Sequence, residues 1–544
     1  MVSVRINLLN ANALMNRNRR PSPFFLLLVW LAWAAPARIV SSEVMPPPSD
    51  PAGLQARFAA HVSQDRFRHA HWGVRIVSID TGQPVFEHNA DDLLIPASNT
   101  KLFTGALALD RLGPEFRIRT SVCSQERPTR RGTLRGDLIL YGRGDPTFAA
   151  RFHGGRLDRA LEPLLGVVAA TGIKRISGDL VVDASYFASP ALGSGWDWDD
   201  LQYAYGAEVS ALTINDNTVD VVVKPAEAPG RPASVQLVPG SGFIPVDNRC
   251  VTAPTGVRRA VQVERPLSHN LIVVTGRIPV GDTGITETVS VHAPAAWFGH
   301  LFKAALEQRG MRVAGNVRMT DPAGASADPA SGASRVELGA VESPPLRDLV
   351  ARMMKPSQNL YAQLLLLQVG AAELAASSQT NATRSAWPPA GVFPHTAEAA
   401  GIRALEAFLG RAGISADEVL FEEGSGLSRR HLVTPAAIVQ LLRFMDRHPQ
   451  AAVFRDALPV AGVDGTLRSR MLETPAAGNA RAKTGTLRYV NALSGYVTSK
   501  AGERFAFALL LNNFRNPDSS RSPRADLDEF VTTLAALEWR TDRQ

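Results

Sequence analysis

The residues whose types and spacing could do chemistry begin with a serine and a lysine three positions apart, Ser98 and Lys101. They open an apolar, helix-like run that continues through Leu107 and Leu109. Residues three apart on a helix share one face, so the hydroxyl and the amine can reach one another. A serine becomes a nucleophile beside a base, and a lysine becomes a base when burial or nearby cations depress its pKa. Since such a pair is common by chance, its interpretation depends on further residues.

Two further motifs follow along the chain. Ser357 and Asn359 form a Ser-x-Asn motif before the apolar run 360–367, and Lys483 begins a Lys-Thr-Gly-Thr motif that opens a strand-like segment. Taken singly, Ser357 and Asn359 could cap a helix, and Lys483 could be a solvated lysine at a strand edge. The ordered set Ser-x-x-Lys, Ser-x-Asn and Lys-Thr-Gly is typical of penicillin-binding proteins and serine β-lactamases. The trio therefore favours a catalytic interpretation over the separate structural ones.

The first 37 residues have the composition of an export signal. They contain four arginines and no acidic residue, then the apolar run Phe24 to Ala35, then a small-x-small site that ends at Ala37. A dozen apolar residues is short of the roughly 20 that span a bilayer, so a signal peptide is favoured over a membrane anchor. Arg19-Arg20 is only a weak twin-arginine pattern. We therefore expect export to the periplasm or cell envelope.

Charge and cysteine content exclude several functions. Removal of residues 1–37 takes the formal net charge from +7 to +3, because four arginines and no acid are lost. This balance offers no electrostatic case for nucleic-acid binding. The two cysteines, Cys123 and Cys250, could be bridged or free in an oxidising compartment. No Cys-x-x-Cys or His-Glu-x-x-His occurs, so no metal site is predicted.

The two ends of the chain are expected to build one sheet. Residues 73–79 and 84–88 read as one hairpin, and 489–498 and 504–512 as another, each around a glycine-containing turn. A helix with apolar residues on one face follows at 527–537. We therefore expect an antiparallel sheet flanked by helices, with Ser98 in its first part and Lys-Thr-Gly in its last.

The long stretch between Ser98 and Ser357 has a different texture. From Arg117 to about Val289 it consists of short alternating strands broken by Gly, Pro and Asp. We predict a discontinuous catalytic domain (50–116 and 290–540), an inserted β-rich domain (117–145 and 218–289) and a second domain nested within it (146–217). Four segments read as turns or surface loops rather than sites. They are 142–146, 196–200, 205–207 and 215–217.

With these motifs, the chain resembles the class C low-molecular-mass penicillin-binding proteins, the D-alanyl-D-alanine carboxypeptidase/endopeptidase family. The resemblance covers essentially the whole mature chain and rests on the trio, the large insertion after the Ser-x-x-Lys helix and four further blocks. These blocks are Leu138–Pro146, Tyr205–Asn217, Gly424–Arg429 and Leu458–Leu467. The chain departs from the family pattern at three positions. Gln358 and Glu423 stand where Asp is usual, and Gln363 stands where an acid is common.

The resemblance implies an α+β fold: a penicillin-binding/serine β-lactamase-like catalytic domain, with an antiparallel sheet flanked by helices plus a helical lobe, and β-rich domains inserted after the Ser-x-x-Lys helix. It also implies that Ser98 attacks the substrate carbonyl and that Lys101 takes its proton. Ser357, helped by Lys483, would return a proton to the leaving amine. Asn359 would hold Lys101 or the substrate amide.

The same resemblance implies a binding site beside the nucleophile. Lys483, Thr484, Gly485 and Thr486 would receive the substrate carboxylate, and the N–H groups of Ser98 and Thr486 would form the oxyanion hole. The implied partners are peptidoglycan stem peptides and, as covalent inhibitors, β-lactams. No cofactor, metal or nucleic acid is expected, and peripheral association with membrane or wall is left open.

Two other function classes share these residues. A serine β-lactamase would carry the same trio, but it would need an additional base for deacylation, and the sequence offers no recognisable one. A non-catalytic wall-binding protein could keep the fold after losing activity, although the intact trio argues against it. Rapid turnover of a β-lactam would identify the first, and failure to react with penicillin the second.

Overall fold

The computed structural model describes residues 47–320, 335–380, 396–516 and 521–542. The predicted signal peptide, residues 1–37, lies outside these ranges. Within them the helices are α1 (Pro51–Val62), α2 (Thr100–Leu112), α3 (Leu157–Ala170), α4 (Pro294–Gln308), α5 (Leu346–Met354), α6 (Asn359–Thr380), α7 (Ala397–Arg411), α8 (Pro435–Asp446), α9 (Ala451–Ala457) and α10 (Pro523–Ala536).

The strands of the same residues are short in the middle of the chain and longer at its ends. They are β1 (His71–Ser78), β2 (Pro84–His88), β3 (Arg119–Ser124), β4 (Thr133–Leu134), β5 (Leu138–Tyr141), β6 (Arg175–Ile176), β7 (Leu180–Asp183), β8 (Thr218–Lys224), β9 (Ser234–Val238), β10 (Val246–Asn248), β11 (Val251–Ala253), β12 (Ala260–Glu264), β13 (Ile272–Pro279), β14 (Ile285–Ser290), β15 (Arg312–Val313), β16 (Val317–Thr320), β17 (Val336–Glu342), β18 (Val419–Leu420), β19 (Leu432–Val433), β20 (Arg481–Leu487), β21 (Val490–Thr498) and β22 (Arg504–Asn512).

The two ends of the chain build one five-stranded antiparallel sheet in the order β2-β1-β22-β21-β20. Both predicted hairpins are present, and β1 pairs with β22 along its whole length, from His71 opposite Asn512 to Ser78 opposite Phe505. The predicted sheet is therefore confirmed. Strand β20, which carries the Lys-Thr-Gly motif, lies at an edge of it.

Helices cover both faces of this sheet, which explains the almost continuous apolar run of β22. Phe505 and Phe507 belong to a core shared with α1 and α10, where the rings of Phe58 and Phe530 stack 4.6 Å apart. The alternate residues, such as Ala506, join the larger core on the other face. Strand side chains alternate between faces, so a strand buried on both sides is apolar throughout.

The helical lobe on the second face centres on α6. Among the described residues, α6 is the single helix long and apolar enough by composition to cross a membrane. Its residues from Asn359 to Gly370 are nevertheless buried in the protein, since the helix packs against α2 and α7. Helix α2, which follows the Ser98 turn, is buried along nearly its whole length and ends at Gly113, where φ is 79°.

The inserted residues form a second five-stranded sheet, in the order β16-β7-β5-β3-β17. Strands β5, β7 and β16 are parallel neighbours. Parallel neighbours require long crossover connections, and α3 lies between β5 and β7 along the chain. Strands β16 and β17, which lie after residue 290, also pair into this sheet. The domain boundaries at 145, 217 and 290 stay a prediction.

The residues between β7 and α4 form smaller sheets. Strands β14, β8 and β9 make one antiparallel sheet, and β10, β13 and β11 make another with β12 paired to β13. The two cysteines lie in separate parts of the inserted segment. Cys123 packs against Ile139 and Val181, whereas Cys250 belongs to the large core. Both are buried and free, which decides between the two open alternatives.

Candidate active site

Ser98 lies in a single 3₁₀ turn, Ala97–Asn99, that leads directly into α2. The turn starts from a left-handed Ala97 (φ 48°), a conformation that a residue with a Cβ rarely adopts. Asn99 anchors it to the main sheet, because its side-chain amide donates to Ser494 Oγ of β21 at 2.8 Å. The serine hydroxyl is therefore held half-buried between the helical lobe and the sheet.

Two glycines allow the chain to approach this turn closely. A Cβ on Gly485 of β20 would lie 2.6 Å from the Pro96 carbonyl oxygen, and a Cβ on Gly426 would overlap the Ala97 carbonyl. Gly426 also has a left-handed backbone, with φ of 78°. The glycine of Lys-Thr-Gly is thus required by the contact between the edge strand and the Ser98 turn.

Lys101 is fully buried one turn beyond Ser98. Its Nζ lies 2.8 Å from Ser98 Oγ, 2.6 Å from Asn359 Oδ1 and 2.6 Å from the Ser425 carbonyl oxygen. An ammonium would donate to all three oxygens. A neutral amine would donate to Asn359 and Ser425 and would accept from the Ser98 hydroxyl. In its neutral state, Lys101 is therefore oriented to receive the serine proton.

The environment of Lys101 brings its pKa into the range that a base needs. Burial lowers the pKa of Lys101 to about 7, although the nearby Glu423 carboxylate raises it in part. Burial and the charge of Lys101 hold the pKa of Lys483 well below its ordinary value. Two buried lysines that repel one another cannot both stay charged at low cost. With a pKa of about 7, a substantial fraction of Lys101 is neutral at neutral pH.

Ser357 and Lys483 form a second hydroxyl–amine pair. Lys483 Nζ donates to Ser357 Oγ at 2.8 Å and to the Thr484 carbonyl at 2.7 Å. Lys483 is fully buried, so it is not the solvated lysine of a strand edge. Ser357 has φ of 65° in the connection between α5 and α6. The structure thus brings the Ser-x-Asn and Lys-Thr-Gly motifs into direct contact.

Asn359 opens α6 and uses both ends of its amide. Oδ1 accepts from Lys101, and Nδ2 donates to the Tyr205 carbonyl of the inserted segment at 2.9 Å. The side-chain hydrogen bond at the start of α6 comes from Gln358, whose Oε1 accepts from the Leu360 N–H at 3.3 Å. Neither serine nor asparagine of the motif acts as the helix cap that its composition would allow.

The remaining residues of the Lys-Thr-Gly-Thr motif extend along β20. Thr484 is buried and its hydroxyl donates to Thr466 Oγ1 at 2.8 Å, while Thr486 is exposed. Thr466 belongs to the block 458–467 that carried part of the family resemblance. An edge strand leaves backbone N–H and C=O groups available to an extended peptide. The residues predicted to bind the substrate therefore lie along an open strand edge beside Ser98.

Glu423 organises the loop that supplies the Ser425 carbonyl. Its Oε2 accepts from the Ser425 N–H at 2.6 Å, and its Oε1 accepts from the N–H groups of Gly426 at 2.6 Å and Leu427 at 3.0 Å. The carboxylate is fully buried. Sequence reasoning noted Glu423 as a departure from the usual Asp but did not assign it this position. Its charge also raises the pKa of Lys101.

His431 lies behind Glu423 and is neutral. Its Nε2 accepts from the N–H groups of Glu422 and Glu423, each at 3.1 Å, so the ring proton lies on Nδ1, 3.2 Å from Thr100 Oγ1. Burial lowers its pKa. Although Nε2 is 3.6 Å from a Glu423 oxygen, this contact is therefore not an ion pair.

Gln363, at a position where an acid is common in the family, has an acid as its partner. Its Oε1 accepts from the Gly424 N–H at 2.7 Å, and its Nε2 donates to Glu398 of α7. Glu398 also accepts from Ser194 Oγ at 2.6 Å. Burial raises the pKa of Glu398 to about 7. Sequence analysis did not identify Glu398, which no motif spacing links to the site.

The geometry of the site defines a class of protein. A serine beside a buried lysine of depressed pKa, with a second serine–lysine pair at an open strand edge, is the machinery of acyl transfer through an active-site serine. The chain belongs to the D-Ala-D-Ala carboxypeptidase 3 (S13) family, whose profile matches residues 54–534. It is accordingly a serine DD-peptidase of the penicillin-binding type, as the resemblance indicated.

Relatives and solved structures agree with this membership. The chain is 36% identical to the D-alanyl-D-alanine carboxypeptidase of an Actinomadura species over 85% of this chain and 81% of that protein. It is 28% identical to D-alanyl-D-alanine carboxypeptidase DacB of Haemophilus influenzae over 84% and 88%. The crystal structure of penicillin binding protein 4 from Haemophilus influenzae matches with a TM-score of 0.70 at 27% identity, covering 86% of this chain and 96% of that one. The predicted fold class is confirmed.

Proposed function

We propose that this DD-peptidase is exported and that it cleaves D-Ala-D-Ala ends or cross-links of peptidoglycan stem peptides through an acyl-enzyme on Ser98. The observation that carries the proposal is the 2.8 Å distance from Nζ of the fully buried Lys101 to Ser98 Oγ. Export rests on the composition of residues 1–37, which resembles a signal peptide.

In the acylation step, Ser98 Oγ forms a bond to the carbonyl carbon of the penultimate D-Ala, and its proton passes to neutral Lys101. The terminal D-Ala leaves when its nitrogen takes a proton from Ser357 Oγ, whose hydroxyl is supplied in turn by Lys483 at 2.8 Å. Water then attacks the ester carbonyl carbon and gives a proton to Ser357, which restores the Ser357–Lys483 pair. The bond from Ser98 Oγ to this carbon breaks, and Ser98 Oγ takes back the proton that Lys101 holds. General acid–base assistance of this kind typically contributes about 10²–10⁴-fold to the rate.

Charge stabilisation and substrate binding are assigned to β20 and the Ser98 turn. The N–H groups of Ser98 and Thr486 would bind the oxyanion, an interaction typically worth about 3–4 kcal/mol for each donor. Lys483 and the hydroxyls of Thr484 and Thr486 would bind the carboxylate of the terminal D-Ala. Gly485 allows this strand to lie against the Ser98 turn.

β-Lactams present a similar carbonyl and carboxylate, so we propose that they acylate Ser98. Penicillin binding protein 4 from Haemophilus influenzae has been solved with a β-lactam. Rapid hydrolysis of such an adduct would need a base for water. Glu423, the buried carboxylate near Lys101, has both oxygens occupied by backbone N–H groups. This occupation favours a slow peptidase-like adduct over β-lactamase turnover.

The test compares the mature protein with its Ser98→Ala variant, each incubated with a fluorescent penicillin. We expect stable label on the wild type alone, with mass spectrometry locating it on the peptide that contains Ser98. Absence of label without drug consumption would overturn the enzymatic proposal. Rapid drug consumption would indicate a β-lactamase instead.

A second arm identifies the substrate. Purified stem pentapeptides and cross-linked muropeptide dimers are each incubated with the wild type and with Ser98→Ala. Release of free D-Ala identifies carboxypeptidase activity, and conversion of dimers to monomers identifies endopeptidase activity. Failure of both substrates with an enzyme that still binds penicillin would contradict the proposed peptidoglycan substrate.

A further inference from the structure

The inserted segment contacts α6 along the face that begins beside the site. Tyr361, Leu364 and Gln368 have the spacing of one helix face. The Tyr361 hydroxyl donates to Asp216 at 2.6 Å, Gln368 Nε2 donates to the Arg143 carbonyl, and Leu364 borders Gly144, where an added Cβ would lie 3.1 Å from its methyl group. The helix that carries Asn359 is thus held from outside the catalytic sheet.

The bond between Tyr361 and Asp216 is buried and charge-assisted. Tyr361 is 1% exposed and Asp216 is 8% exposed. The second carboxylate oxygen of Asp216 pairs with Arg151, whose guanidinium lies 5.7 Å from the centre of the Tyr361 ring. The ring of Phe152 stacks on Tyr361 at 6.1 Å. Hydrogen bonds to an ionised acceptor are among the stronger ones in proteins, so this contact fixes the position of Tyr361.

The turn that presents Asp216 is held in an unfavourable backbone conformation. Three consecutive residues that are not glycine, Asn215, Asp216 and Asn217, have φ of 46°, 57° and 56°. Side chains within the turn stabilise it: Asn217 Oδ1 accepts from the Ile214 N–H at 3.1 Å, and Asn217 Nδ2 donates to the Glu208 carbonyl at 2.7 Å. Strain of this kind persists where the surrounding structure over-determines it, commonly at functional sites.

Two residues before Tyr361, the inserted segment also sets the orientation of the Asn359 amide. Nδ2 donates to the Tyr205 carbonyl, which leaves Oδ1 for Lys101 Nζ at 2.6 Å. In the flipped orientation an N–H group would face the lysine, and two carbonyl oxygens would face one another. The Tyr205 carbonyl therefore selects the orientation that accepts from Lys101.

We propose that the inserted segment positions an active-site residue, Asn359. The Tyr205 carbonyl and the Asp216–Tyr361 hydrogen bond hold the start of α6, so that Asn359 presents its carbonyl oxygen to Lys101. Asp216 and Tyr361 are positioning residues, since neither touches Ser98. The inference rests on the proposed role of Ser98 and Lys101. The turns 205–207 and 215–217, which the sequence predicts only as turns, thereby have a positioning role in the active site.

The test measures the second-order rate of acylation by a fluorescent penicillin across pH for Tyr361→Phe and Asp216→Ala. We expect both rates to fall between about tenfold and about a hundredfold, because displacement by about 1 Å near a reacting group has effects of this size. Asp216→Asn keeps an acceptor for the tyrosine hydroxyl and should retain most of the wild-type rate. This ordering separates lost positioning from lost charge.

The pH profile distinguishes positioning from general destabilisation. The charged and titratable groups around Lys101 are Glu423, Lys483 and His431, and all three remain in these variants. Loss of the Asn359 carbonyl removes an acceptor that stabilises the Lys101 ammonium. The acid limb of the profile should therefore move to lower pH while the plateau falls. A purely structural role would leave the limb in place.

Tyr496→Phe is the matched control, because it removes another buried tyrosine hydroxyl, which donates to the Leu442 carbonyl at 2.7 Å far along the chain from α6. We expect its acylation rate and profile to match the wild type. If Tyr361→Phe and Asp216→Ala match it within twofold, the inference is wrong. Should either variant unfold, Arg151→Ala tests the same contact at a half-exposed side chain. Failure of the Ser98 proposal would instead leave the wild type itself unlabelled.

Discussion

Ser357 holds its hydroxyl 2.8 Å from Lys483 Nζ while its own backbone is left-handed, with φ of 65°. A left-handed residue with a Cβ costs of the order of 1–2 kcal/mol relative to glycine. Glycine at this position would avoid the cost, but glycine has no hydroxyl. The backbone strain at Ser357 is therefore the cost of having a hydroxyl at this position.

The first prediction concerns this position. Ser357→Ala and Ser357→Gly both remove the hydroxyl, and we expect D-Ala release to fall by about 10²–10⁴-fold in each. Ser357→Gly should be the more stable of the two by about 1 kcal/mol, because it relieves the left-handed strain. Peptidase assays and thermal unfolding check the two effects separately. Equal activity of Ser357→Ala and the wild type would remove Ser357 from the mechanism.

The second prediction concerns Glu423, whose charge raises the pKa of Lys101. In the wild type the acylation rate should rise with pH and level off above about 7, because Lys101 must lose its proton before it can accept that of Ser98. In Glu423→Gln the pKa of Lys101 should fall further, so the limb moves to lower pH. Acylation rates of both proteins, measured between about pH 5 and 9 in steps of about one pH unit, would show this displacement of the acid limb.

Glu423→Gln should also destabilise the fold by about 1–3 kcal/mol, because one amide N–H would face backbone donors that now share a carboxylate. Glu423→Asp is the control, since it keeps the charge. Its pH limb should stay near that of the wild type. A limb that is unchanged in Glu423→Gln would contradict the electrostatic role of this residue.

The third prediction separates close approach from backbone strain at Gly426. Gly426 and Gly502 both have φ of 78°, but an added Cβ meets the Ala97 carbonyl at Gly426 and nothing within 4 Å at Gly502. We expect Gly502→Ala to cost about 1 kcal/mol in unfolding free energy. Gly426→Ala should cost several times more and also slow acylation, since Ala97 precedes Ser98. Denaturant unfolding of both variants checks the difference, which should vanish if crowding is unimportant.

The fourth prediction is a pH dependence of stability from Glu398. Its folded pKa of about 7 exceeds its ordinary value of 4.5, so the folded state binds this proton more tightly. The associated stability is complete below about 4.5 and is lost as the pH rises through about 7. Glu398→Gln should therefore become more stable relative to the wild type over this window, by up to about 3 kcal/mol. A constant difference in unfolding free energy from pH 4 to 8 would exclude this effect.

Local pattern was enough to predict much of the main sheet and the identity of the three motifs. The hairpins of β1 with β2 and of β21 with β22 follow from alternating apolar residues around short turns, which are local properties of the chain. The pair Ser98 and Lys101 follows from helix periodicity in the same way. The Ser98 roles themselves remain predictions until the penicillin experiment is done.

The long-range strand pairing of the inserted segment could not be obtained from such patterns. Strands β7 and β16 are parallel neighbours although more than a hundred residues separate them, and parallel pairing leaves no turn signal in the sequence. Glu398 likewise reaches the site from an element with no motif spacing to Ser98. Ser425 lies in the block 424–429 of the resemblance, but no local pattern predicts the contact of its carbonyl with Lys101. Such contacts depend on how distant elements pack.

The sequence alone determined the residue types that could perform acyl transfer, their order, and the apolar periodicity of the elements that carry them. Only the tertiary structure decided how these residues are charged and oriented. Burial lowers the pKa of Lys101, and the Tyr205 carbonyl orients Asn359 toward it. Both effects arise because desolvation and hydrogen bonding act between groups close in space, whatever their distance along the chain.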